Sequence, residues 1–114
     1  MDERKVPGAA DLAVLDPDGS FVCRLRHDRD ALARLACGLW TTAEDARRAR
    51  LAEIEELAHR LAGAAGTFGY ERVGMAALEL ENDVATADRL HDRSAIEASL
   101  ARLRMTLENS LRKV

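Results

Sequence analysis

His59 sits in the run Ala58-His59-Arg60-Leu61-Ala62-Gly63-Ala64-Ala65-Gly66-Thr67-Phe68-Gly69, one imidazole followed within ten residues by three glycines and little but alanine. Glycine inside a helix costs about 1 kcal/mol relative to alanine. This run therefore gives up stability to keep the strip beside the ring bare. A neutral imidazole is a competent nucleophile near pH 7. No serine, cysteine or carboxylate pair in its own turn completes a triad or a glycosidase dyad. No second histidine or cysteine lies three or four residues after any histidine, so no metal site and no cofactor are expected. A strip kept this bare suggests that something large must reach the ring, and we read His59 as a phosphate-carrying histidine.

Spacing sets where that ring points. Leu51, Ile54, Ala58, Leu61, Ala65 and Phe68 recur at intervals of three and four, the apolar seam of a bundle helix. His59 follows Ala58, so its ring lies at the edge of the core face and leans to solvent. Its strip-mates are Glu55 and Glu56 on one side and Ala62, Gly63 and Gly66 on the other. The glycines have a second reading, as sites of close helix–helix packing. Phe68 and Tyr70, flanking Gly69, read as core and hairpin-packing residues. His27 and His91 lack comparable surroundings and read as solvated.

The rest of the chain supplies the elements that hold this helix. Thr41-x-x-Glu44 is a capping box at its start, with Thr42 as an alternative, and Gly69 closes it. A first helix is expected over about 20–39, with Phe21, Leu25, Leu32, Leu35 and Leu39 inward and Asp18 or Ser20 as its cap. A hairpin centred on Asp16-Pro17-Asp18-Gly19 competes for the same start. Asp28 occupies an apolar register; it is expected to be solvated, at a bundle end or where the helix rotates. A third helix begins near Tyr70, with Val73, Ala76, Ala77, Leu80, Val84 and Ala87 inward. A fourth begins at the capping box Ser94-x-x-Glu97, with Ile96, Leu100, Leu103, Leu107 and Leu111 inward. The expected fold is all-α, an antiparallel up-down four-helix bundle over 19–114. Residues 1–18 form an irregular or short-helical extension.

Composition agrees. The 114 residues suit one small domain rich in alanine, leucine, arginine and glutamate, with four aromatic residues and no proline after Pro17. A net charge of −3, with both signs interspersed, offers no basic field for nucleic acid. No apolar stretch approaches the roughly 20 residues that span a bilayer, and the N-terminus lacks the apolar run of a signal peptide. Cys23 and Cys37, about 21 Å apart along one helix, cannot pair. They read as small core or boundary residues of a protein in a reducing cytoplasm. Arg47, Arg48 and Arg50 read as a solvated face.

Residues 59–69 resemble the His-x-Leu-Lys-Gly-Ser-Ser-x-x-x-Gly pattern of the histidine phosphotransfer (HPt) family. Ala77, Leu80 and Glu81 resemble the Ala…Leu-Glu of that family's next helix. The resemblance implies a monomeric phosphocarrier, not an enzyme. His59 would take a phosphoryl group from a receiver-domain aspartate of a hybrid kinase and pass it to a response regulator. The catalytic aspartates and Mg²⁺ would belong to the receiver, and Gly63 would leave room for the phosphoryl group. One departure stands out: the family often has Lys where this chain has Ala62. Arg60 lies about 100° round the helix, and Arg72 is the next candidate. A receiver-binding adaptor that never carries phosphate is the alternative on the same bundle. A structural dimer packed through its glycines is a third reading.

Overall fold

The apolar seams become four α-helices in the computed structural model, which describes residues 15–86 and 93–114. They are α1 (Ser20–Ala36), α2 (Glu44–Ala65), α3 (Glu71–Thr86) and α4 (Arg93–Arg112). Each packs on two neighbours, α1 on α2 and α4, and α3 on α2 and α4, closing a ring about one core. That core holds Leu25, Leu32, Ile54, Ala58, Leu61, Ala65, Val73, Ala77, Leu80, Leu103 and Leu107, none of them exposed. The expected all-α four-helix bundle is what forms. Leu51, Phe68 and Val84, expected inward, are partly buried at its margins. Ala87 and His91 lie outside the described residues, as does the segment 1–14.

Helix starts depart from the capping boxes. α1 is capped neither by Asp18 nor by Ser20 alone, although Ser20 N–H donates to Asp18 Oδ1 at 3.0 Å. The buried Asp16 carboxylate accepts from the N–H groups of Phe21 and Val22, each at 3.1 Å. It satisfies two of the orphan donors of the first turn. The competing hairpin does not form, because that turn feeds a helix at Ser20.

α1 ends at Ala36, three residues before the expected Leu39. Gly38 adopts φ +67°, in the left-handed region, and the chain folds back so that Leu39 enters the core. Thr41 is used in that turn, donating its hydroxyl to Gly38 O at 3.2 Å. α2 therefore begins at Glu44 after an Ala43 cap with no side-chain bond. Ser94 likewise lies inside α4, and Glu97 pairs with Arg93 Nε at 3.2 Å rather than reaching back to a cap.

The Arg47-Arg48-Arg50 face is not simply solvated. Arg47 donates to Thr42 O at 3.2 Å and Arg50 to Cys37 O. Arg47 and Arg93 also lie over the Trp40 ring, with centroid distances of 6.0 and 5.1 Å. These contacts tie the α1–α2 loop to the bundle. Cys23 and Cys37 are free and exposed instead of sheltered at the core boundary.

Asp28 is the main surprise in the core. It is buried on α1 rather than solvated. Removal from water pushes its carboxyl above the usual range, against the partly offsetting charges of Arg24, Arg60 and His27.

Candidate functional site

The α2–α3 turn builds the site. After Ala65 the chain tightens through Thr67 and Phe68, whose N–H groups reach back three residues. Gly69 at φ +90° then reverses it. Tyr70 N–H donates to Ala65 O at 2.8 Å and Gly69 N–H to Gly66 O at 3.1 Å, the paired bonds of a Schellman closure. Phe21 stacks on Phe68 with centroids 4.3 Å apart and packs against Tyr70 at 5.7 Å, anchoring the turn to α1.

An antiparallel hairpin pivoting near Tyr70 pairs residues equally far on either side. His59 and Glu81 are each eleven residues from that pivot, about three helical turns, so both return to the same face. His59 Nδ1 and Glu81 Oε2 lie 2.7 Å apart. A carboxylate only accepts, so Nδ1 donates, and in the neutral ring the lone pair is left on Nε2. The His59 side chain is 72% exposed, whereas Glu81 is 20% exposed and therefore held more firmly. The imidazole is thus fixed at one nitrogen and open at the other.

Beside the ring runs an open groove of about 510 Å³ between α2 and α3. His59, Ala62, Gly63 and Gly66 line it from α2, and Gly74, Met75 and Leu78 from α3. A Cβ built on Gly63 or Gly66 would meet nothing within 4 Å. Among the described residues these two glycines are not required by close packing; they keep one wall low. Gly74 differs, since its Cβ would come to 3.7 Å from Ala62 O and the Ala65 side chain, an ordinary contact across the helix pair. Met75 and Leu78, 70% and 50% exposed, give the opposite wall an apolar surface.

The site residues expected from sequence divide in two. His59, Ala62, Gly63 and Gly66 meet at the groove. Arg60 does not line it; its charge bears instead on the buried Asp28 carboxyl of α1. Arg72 does not line the groove either, although its neighbour Glu71 does. His27 is exposed on α1, as expected. Sequence reasoning placed Glu81 in a motif but missed its contact with the ring, and missed Met75 and Leu78 as groove residues. The equal spacing about Tyr70 was the available signal.

Among the described residues, no group of three or more His, Cys, Asp or Glu could hold a metal ion. No helix there is long and apolar enough to cross a membrane.

No curated protein and no solved structure matches the chain significantly. The family model for the Hpt domain matches residues 19–113, which spans all four helices. A four-helix bundle with a pinned, outward imidazole above a bare groove accords with that match. The chain therefore belongs to the Hpt domain family, whose members are phosphocarrier modules of two-component phosphorelays, not catalytic enzymes, and interact with receiver domains.

Proposed function

We propose that His59 is the phospho-accepting residue, taking a phosphoryl group on Nε2 from a receiver-domain aspartate and passing it to a second receiver. The observation that carries this reading is the 2.7 Å contact from Nδ1 to Glu81 beneath a largely exposed ring. In the accepting step, the Nε2 lone pair forms the N–P bond as the P–O bond to the aspartate breaks and the carboxylate leaves. The ring becomes an imidazolium, and its Nδ1 proton stays against the Glu81 carboxylate, which balances the charge. In the return step an acceptor aspartate attacks phosphorus, the Nε2–P bond breaks, and a neutral imidazole departs. Retaining one proton on Nδ1 throughout lets the same group serve as nucleophile and leaving group.

The receiver brings the reactive carboxylate and its cation, while this chain supplies an oriented nucleophile and a groove to dock in. Ala62, Gly63 and Gly66 leave room for the phosphoryl group, and Met75 and Leu78 supply apolar contact to the receiver. A monomeric working unit fits this reading, with one bundle docking one receiver at a time. Two exposed free thiols suit a reducing cytoplasm.

Incubation with phosphorylated receivers, followed by acid and base treatment, tests this reading. The expected product is acid-labile, base-stable phosphate in the parent chain and none in His59→Gln. Labelling that survives in His59→Gln refutes the site. A second reading, a receiver-binding adaptor without phosphate, is favoured by the lack of any Lys or Arg lining the groove among the described residues. It predicts measurable receiver affinity with no phosphohistidine trapped.

A further inference from the structure

The two edges of the His59 site differ in chemistry. Toward α3 the wall is apolar, with Met75 and Leu78 exposed. Toward α1 it is basic. Arg60 follows His59 directly, about 100° round α2, and turns to the flank that packs on α1. Arg24 and His27 reach that flank from α1, Arg24 one turn before Asp28. All three basic side chains bear on the Asp28 carboxyl.

Asp28 is 8% exposed, whereas Arg24, His27 and Arg60 are exposed. The acid at the centre of the group is withheld from solvent, and the cations around it are presented. Two guanidiniums against one carboxylate leave positive charge even when Asp28 is ionised. Among the described residues neither Arg24 nor Arg60 joins an ion pair, although Glu56 stands one turn before Arg60. A stable interface covers about 800 Å² on each partner, a footprint roughly 30 Å across. Packed helix axes lie only about 8–10 Å apart. A receiver seated on His59 therefore extends beyond the groove, across α2 to Arg60 and the edge of α1.

Resting on the phosphocarrier reading above, we propose that Arg24 and Arg60 form a basic rim that selects among receivers. Of those that fit the groove, the chain exchanges phosphate fastest with receivers carrying acidic side chains on the edge that meets α1. The rim acts on encounter and not on the chemical step, because exposed charges steer association and these two touch none of the reacting atoms. One cation facing a partner carboxylate about 7 Å away in water contributes about threefold.

The experiment follows phosphohistidine formation in the full chain, using the phosphorylated receiver that labels it fastest. It measures the second-order rate constant and the maximal rate, at low and at high salt. Arg60→Gln is expected to lower the second-order constant about threefold, and Arg24→Gln combined with Arg60→Gln about tenfold, with the maximal rate unchanged. In 1 M salt, where the screening length is about 3 Å, both losses should vanish. Arg24→Lys with Arg60→Lys keeps the charge and should behave like the parent. Arg104→Gln removes the same charge from the exposed surface of α4 and should cost less than Arg60→Gln. A parent-like constant in the double glutamine variant overturns the inference, as does a loss that survives 1 M salt, is shared by the lysine variant, or is matched by Arg104→Gln. Phosphohistidine in the parent keeps the carrier reading in each of those cases. A parent chain that no receiver labels removes both.

Discussion

Replacing Glu81 by alanine removes the acceptor for His59 Nδ1–H while leaving Nε2 and the other groove residues in place. A hydrogen bond to a charged group contributes about 1.5–3 kcal/mol when sheltered. Here the ring is 72% exposed, so water competes and the lower end of that range applies. About 1.4 kcal/mol corresponds to tenfold in rate. Glu81→Ala is therefore expected to slow phosphoryl acceptance about tenfold at saturating receiver. Glu81→Gln is expected to slow it by roughly threefold, since the amide oxygen still accepts from Nδ1 but cannot balance an imidazolium. The melting temperature should barely move, because the pair sits at the surface. Rapid-quench transfer from a labelled receiver, over a range of receiver concentrations, separates the chemical step from docking. A parent-like maximal rate in Glu81→Ala, with the protein folded, would refute the claim that this carboxylate sets the reactive form of the ring.

Three further outcomes follow from the same structure. Gly63→Leu should keep or raise the melting temperature, since a Cβ there meets open space and leucine is favoured over glycine in a helix by about 0.5–1 kcal/mol. The same variant should lose receiver docking by calorimetry; unimpaired phosphotransfer would show that the bare strip has no docking role. Asp28→Leu should stabilise the bundle by about 1–2 kcal/mol near pH 7 by filling the seam between Leu25 and Leu32. Burial raises the folded-state carboxyl above its ordinary 3.8, so the native protein holds this proton more tightly than the unfolded chain. The wild type therefore loses stability as pH rises from about 3.8 through the raised value. The variant's advantage should be full at neutral pH and shrink in acid, and urea titrations at both ends would expose a constant difference. Tyr70→Phe should be neutral or stabilising by about 1 kcal/mol by thermal melting, because the buried Tyr70 hydroxyl has no hydrogen-bond partner among the described residues; a loss of more than that would reveal a partner.

The helical seams were legible because their information is local. Intervals of three and four residues dictate which side chains share a helix face, whatever the helix later packs against. That sufficed for the four-helix bundle, for Val73, Ala76, Ala77 and Leu80 of the inward set on α3, for the inward set on α4, and for a solvent-leaning His59 beside Gly63 and Gly66. What tertiary structure alone decided concerns contacts between elements. The Glu81 partner depends on where the α2–α3 turn reverses, since moving that pivot by one residue would rotate α3 by about 100° relative to His59. Asp28 is buried because neighbouring helices cover its register, which no count along α1 reveals. Thr41 lost the capping role to a loop held by Gly38, and Asp16 gained one, because the backbone bonds each carboxylate or hydroxyl can reach depend on how the chain enters the helix. A face is written in one segment; the partner that meets it is chosen by the geometry of two.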